Sequence, residues 1–235
     1  MIRFKKIMPV LLLIISVAFT AAAQDVNTLL AKVKFNIDKV NDYEATARMV
    51  TNVSFLKVPD ADVKVFFKKP NKLKIKNEKG ISFVPKGAVS INLNNILSGG
   101  KYTAIDAGTD KIGSTTVRII KLLPEDDNAD VVLSTVYIDE AALVIRRAKT
   151  TTRTNGSYQL EMSYGKYAAF GLPDKIVFTF DTKDYKLPKG VTFDFDDGTQ
   201  NNRSAAEKAK SKNGKAEITF SNYSINKGVS DEVFK

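Results

Sequence analysis

Val63-Lys64-Val65-Phe66-Phe67-Lys68-Lys69-Pro70-Asn71-Lys72-Leu73-Lys74-Ile75 decides the fold. Apolar and polar residues alternate on both sides of a Lys69-Pro70-Asn71 turn, which predicts two antiparallel strands, Asp62 to Lys69 and Lys72 to Asn77, joined by a tight hairpin.

Upstream, the period is helical. Val26, Leu29, Leu30, Val33, Ile37 and Val40 recur at steps of three and four, and polar residues fall between them, so one amphipathic helix is expected from Asp25 to Asn41. Asn41-Asp42 breaks it, and alternation begins again at Tyr43, Ala45, Ala47 and Met49, which predicts a strand from Tyr43 to Phe55.

Downstream, strands are expected at Ile81 to Pro85, Ala88 to Asn92, Tyr102 to Asp106, Thr115 to Leu122, Val132 to Asp139, Leu143 to Arg153, Ser157 to Tyr164, Lys175 to Asp181, Val191 to Phe195 and Ala216 to Tyr223. Short turn-forming connections imply that sequential neighbours pair antiparallel. Pro124 to Asp130 and Asp196 to Gly214 read as polar loops, the second with a helix or a loop at Ser204 to Lys212. Leu93 to Gly100 reads as a short helix or flap.

The N-terminus carries Arg3, Lys5 and Lys6, then an apolar run from Leu11 to Phe19, then Ala21-Ala22-Ala23. This is the pattern of a secretory signal peptide over residues 1–23, too short in its apolar part to span a membrane. The remaining residues 24–235 are expected to form a single domain of about 210 residues. The chain contains no cysteine, so a lipid anchor on a first mature cysteine, a disulfide and a thiolate nucleophile are all excluded. No histidine is present, which removes the commonest general base and metal ligand. Asp194 to Gly198 fails as a calcium loop, since the twelfth position from Asp194 is Ala205. Asp, Glu, Lys, Ser and Tyr remain for catalysis, so a two-carboxylate glycosidase stays open in principle, and there is no tryptophan to serve as a sugar platform. No enzyme, cofactor or metal site is expected. The net charge is +10, of which the leader holds three, leaving the mature chain near +7. Such a surplus suits an anionic partner, and the leader argues against nucleic acid.

The basic-basic-Pro-Asn hairpin, Lys68 to Asn71, together with the order of leader, helix, Tyr-led strand and meander, resembles the periplasmic lipoprotein carriers of the LolA type. The segment from Ile218 through Phe234 is similar to the closing segment of lipoprotein-sorting proteins of that group. The resemblance implies a mostly β (α+β) fold: a single curved antiparallel sheet of about 11 strands forming an incomplete barrel, with the N-terminal helix and short helices as a lid. It also implies acyl chains of a client lipoprotein beneath the lid, an inner-membrane ABC exporter that loads the carrier, an outer-membrane acceptor that unloads it, a periplasmic location and a monomer without a membrane anchor. In that family an arginine before the motif proline holds the lid shut. The matching residue here is Lys69, which has no planar fork, so a single ammonium contact to backbone carbonyls is what remains for lid contact.

Alternation supplies the lining. If Lys69 faces the hollow, so do Phe67 and Val65, with Leu73 and Ile75 across the turn, while Lys72, Lys74 and Lys76 face out. Met49, Met162, Leu160, Phe83 and Ile119 are expected to complete a soft apolar lining. Lys68, Lys69 and Lys72 are expected to guide docking to acidic surfaces. The alternative is a lipid- or lipoprotein-sensing module on the same scaffold, without transport.

Overall fold

The computed structural model describes residues 25–52, 60–70, 72–77, 97, 101–154, 156–181 and 213–235. It opens with helix α1, Val26–Asp38, whose first turn is capped by Asp25, its carboxylate accepting a hydrogen bond from the Thr28 amide at 3.0 Å. The expected helix to Asn41 is shorter by three residues. The last turn tightens as the Val40 amide bonds the Ile37 carbonyl at 3.1 Å, and the Asn226 side chain takes the Asn41 amide at 2.7 Å, which steers the chain into the sheet.

Ten strands follow in one antiparallel sheet: β1 Asp42–Asn52, β2 Ala61–Lys68, β3 Lys72–Asn77, β4 Tyr102–Ile112, β5 Thr115–Pro124, β6 Val131–Asp139, β7 Val144–Thr152, β8 Ser157–Ser163, β9 Lys175–Asp181 and β10 Asn213–Ile225. A short 3-10 turn, Ala168–Phe170, lies between β8 and β9, and another, Asp231–Phe234, ends the chain. The spatial order is β3-β2-β1-β10-β9-β8-β7-β6-β5-β4, so the sheet is open, and β3 and β4 are its two edges among the described residues. The expected fold, a single curved sheet in an incomplete barrel with an N-terminal helix, is the one found.

Three expectations change. Neighbours in sequence do pair antiparallel except at one place: β3 and β4 lie at opposite edges, because β10 returns to pair with β1 and joins the two ends of the chain in mid-sheet. β4 continues past Asp106 to Ile112 through a bulge, where Gly108 takes φ +86° and its amide donates to the Asp106 carboxylate at 2.9 Å. Asn213 and Gly214, expected in a loop, belong to β10. The expected strands Ile81 to Pro85, Ala88 to Asn92 and Val191 to Phe195, the helix or loop at Ser204 to Lys212, and Phe83 lie outside the described residues. From Leu93 to Gly100 only Leu97 is described, helical and buried.

One face of the sheet is apolar apart from the buried hydroxyls of Thr51, Ser134 and Thr150, and its apolar side chains divide into two clusters. The first joins Leu29, Leu30, Val33 and Ile37 of α1 to Ile120, Leu122, Val136, Ile138, Ile145, Ala148, Leu160, Met162, Ile176, Phe178 and Phe180, so the helix lies over β5 to β9. The second gathers Ala45, Ala47 and Met49 of β1, Val63, Val65 and Phe67 of β2, and Ile218 and Tyr223 of β10, with Val40 and Leu172 over them. Phe220 packs against both, so the two clusters are one continuous surface.

Candidate functional site

The wing made of β1, β2 and β3 holds most of the residues expected to line a binding site. Register places them in rows: Tyr43, Phe67 and Leu73 are opposed across three strands, and so are Ala45, Val65 and Ile75. A third row runs from Met49 through Ile218 and Ile176 to Met162, and Leu160 opposes Phe178 two pairs further along. Thus Met49, Val65, Phe67, Leu73, Ile75, Leu160 and Met162 share one face. Ile119 does not: it opposes Tyr137, which opposes Arg147, and the Arg147 guanidinium lies over the Tyr137 ring at 5.3 Å on the other face. The inward residues of β5 are Ile120 and Leu122. Lys121 carries that parity in the sequence, because an exposed lysine between them sends Ile119 and Leu123 outward with it.

These residues differ in how firmly they are enclosed. Leu160 and Met162 are packed under α1, and Phe67, 4% exposed, stacks against Tyr43 with ring centroids 5.4 Å apart. Glutamate at Phe67 would bury an unpaired carboxylate, so this residue belongs to packing first. Leu73 and Ile75 are half-buried and border the second cluster without being closed into it.

Geometry explains why. Nine inter-strand steps give a sheet about 43 Å across. A helix of 13 residues is about 20 Å long and about 10 Å wide. No side chain of α1 enters the second cluster; only Val40, past its end, reaches there. The β1, β2 and β10 side chains of this wing are buried all the same, and among the described residues it is the edge strand β3 that is left half-covered, at Leu73 and Ile75.

Lys69 stands at that seam. Its ammonium donates to the Asp38 carbonyl, the last residue of α1, at 2.6 Å, and lies 3.7 Å from the Asp38 carboxylate. A cation at a helix C-terminus meets orphan carbonyls and the negative end of the helix dipole. The Asp38 carboxylate is also held by Lys34 at 2.5 Å. Steering by Lys68 and Lys72 is not what their surroundings provide: both bind the Asp231 carboxylate, at 3.0 and 2.8 Å, on the outer face, and hold it below its ordinary pKa. Lys74 donates to the Lys235 carbonyl at 2.7 Å, so the C-terminal turn is clamped to the back of β2 and β3.

Buried hydroxyls lie along the apolar face: Ser134 and Thr150 bond each other at 3.0 Å, Thr51 has no partner among the described residues, and three phenols find acceptors. Tyr223 donates to the Pro173 carbonyl at 2.8 Å, Tyr164 to the Ile145 carbonyl at 2.9 Å, and Tyr167 to the Asn222 side chain at 2.9 Å. Burial pushes the Tyr43, Tyr164 and Tyr223 hydroxyls well above the ordinary tyrosine value, so they stay neutral. The described part of this face suits an apolar guest.

Similarity to known proteins lies in the fold. No protein-family model matches the chain, and no curated protein is significantly similar to it in sequence. Among solved structures, a domain named for outer membrane lipoprotein sorting from Vibrio parahaemolyticus aligns at a TM-score of 0.56 and 11% identity, over 88% of this chain and 94% of that one. A DUF1329 family protein from Desulfovibrio piger aligns at 0.54 and 13% identity, over 89% and 97%. A LolA superfamily protein from Nitrosomonas europaea aligns at 0.54 and 10% identity, over 89% and 96%. The chain has a LolA-like fold.

Proposed function

We propose that the chain is a soluble periplasmic carrier that shelters the acyl chains of lipoproteins against its apolar face and moves them from the inner to the outer membrane. The observation that carries this reading is the mismatch between sheet and lid: α1 covers β5 to β9, while Leu73 and Ile75 stay half-buried on the same apolar face. An alkyl tail lying along that wing needs no polar partner. Each sheltered methylene contributes about 0.8 kcal/mol, so ten contribute about 8 kcal/mol, a micromolar dissociation constant before ordering costs.

Entry follows from the latch. Releasing the one hydrogen bond from Lys69 to Asp38 frees the C-terminal end of α1 to move beside the wing. Loading and unloading then depend on which partner holds the tails more tightly, an inner-membrane ABC exporter on one side and an outer-membrane acceptor on the other. No helix among the described residues is long and apolar enough to cross a membrane, in keeping with a carrier that shuttles.

The test is release of lipoproteins from spheroplasts of the native host. Added protein should bring acylated lipoproteins into the supernatant, and the Ile75→Glu variant, folded by circular dichroism, should release less than a tenth as much. Equal release by both, or none by the wild-type chain, refutes transport by this face.

A further inference from the structure

The outward stripe of α1, polar at Asn27, Thr28, Lys32, Asp38 and Lys39, carries one large apolar side chain. Phe35 is 67% exposed, the most exposed large apolar side chain among the described residues. It is flanked one turn before by Lys32 and one turn after by Lys39, both exposed. The Lys39 ammonium stands over the Phe35 ring at 5.0 Å and reaches across to the Ala169 carbonyl at 3.3 Å. That contact brings in the 3-10 turn after β8, where Phe170 is 36% exposed and Lys166 lies over the Tyr167 ring at 5.0 Å. Gly171 fixes the turn there: at φ +64°, a Cβ would come within 2.9 Å of Ile37 on α1.

We propose that Phe35 and Phe170, framed by Lys32, Lys39 and Lys166, form a membrane-docking surface that seats this end of α1 on an anionic phospholipid bilayer.

Charge selects the occupant. Asp38 is the acidic group on this end of the helix, and it is already held by Lys34 and Lys69. Lys32, Lys39 and Lys166 form no ion pair among the described residues, and the Lys39 bonds to the Asn36 side chain and the Ala169 carbonyl leave its charge uncompensated. Phosphates supply the missing anions, the long lysine stems reach them from the surface, and the two rings enter the acyl boundary. Size argues against a protein partner, since five side chains fall far short of the 20 to 30 residues that each side of a stable protein interface typically contributes. The surface adjoins Lys69 and Asp38, so docking sets the latch next to the bilayer. The inference goes beyond the carrier reading and needs no cargo.

Flotation with vesicles tests it, comparing phosphatidylcholine alone with phosphatidylcholine containing about 30 mol% phosphatidylglycerol. All variants are purified as the same full-length secreted product, so the N-terminal segment contributes equally to each. The wild-type chain should float with the anionic vesicles at low salt and remain in solution with the neutral ones. Lys32→Gln with Lys166→Gln should lower the partition about 25-fold, about fivefold for each lysine. Phe35→Ser should lower it about tenfold. The control Lys111→Gln with Lys121→Gln removes the same charge from exposed positions on β4 and β5 and should change it less than about twofold. An equal loss in the control means diffuse attraction and overturns the proposal, as does a Phe35→Ser variant that floats like the wild type. A wild-type chain that ignores anionic vesicles also overturns it and turns the search toward an acidic protein. None of these results bears on acyl-chain binding, because no lipoprotein is present.

Discussion

At the scale of single residues, Lys69 matters most, since one ammonium joins the sheet to the end of the lid helix. Its bond to the Asp38 carbonyl is a charge-assisted contact in a partly exposed place, worth about 1 kcal/mol. Lys69→Ala should therefore speed amide exchange at Val33 to Ile37 about fivefold. Lys69→Arg should slow it, because a guanidinium at this position has donors for both the carbonyl and the carboxylate of Asp38. Unchanged exchange in both variants would mean that packing alone holds the helix. Residue faces were legible in the sequence wherever charge marked the outer side: Lys72, Lys74 and Lys76 fix the parity of Leu73 and Ile75. Apolar doublets obscure it, and at Ile119-Ile120 the choice fell on the wrong member, although Lys121 held the answer. The firm packing of Phe67 was not legible, because alternation assigns a face and says nothing of what covers it.

At the scale of elements, local signals served well and remote ones did not. The hairpin of β2 and β3 follows from its own turn, and α1 from its own period. β4 exceeded its expected length because a bulge at Asp106 and Gly108 resembles a turn in sequence yet lets the strand resume. The insertion of β10 beside β1 is a pairing of distant segments, and no short-range pattern contains it. The C-terminal turn, Asp231–Phe234, is held by charge: Lys72 and Lys68 donate to Asp231 and hold its pKa below the ordinary carboxylate value. A lowered folded-state pKa gives a contribution that is present above the ordinary value of about 4 and lost as pH falls through the lowered one. Since the chain has no tryptophan, Phe234→Trp provides a unique reporter near Lys72. Its fluorescence should shift toward that of solvent-exposed tryptophan only below about pH 4. With Asp231→Asn added, the exposed signal should be present already at neutral pH. A reporter whose acid transition survives Asp231→Asn would assign the clamp to other groups.

At the scale of the whole molecule, a ten-stranded open sheet carries one described α-helix, and the consequences come from that disproportion. A sheet buried on one face requires cover over its full width, and among the described residues α1 supplies it for the side away from β1 to β3. The fold was readable from pattern and resemblance together. The extent of helical cover was not, because it depends on which strands α1 lies across. The most direct measurement is the mass of lipid extracted from the secreted protein after purification without detergent from its native host, beside the Ile75→Glu variant purified alike. Acylated species bound to the wild-type chain and at least tenfold depleted in the variant are the predicted result. A wild-type chain free of acylated lipid, or a variant that retains as much, would contradict the account.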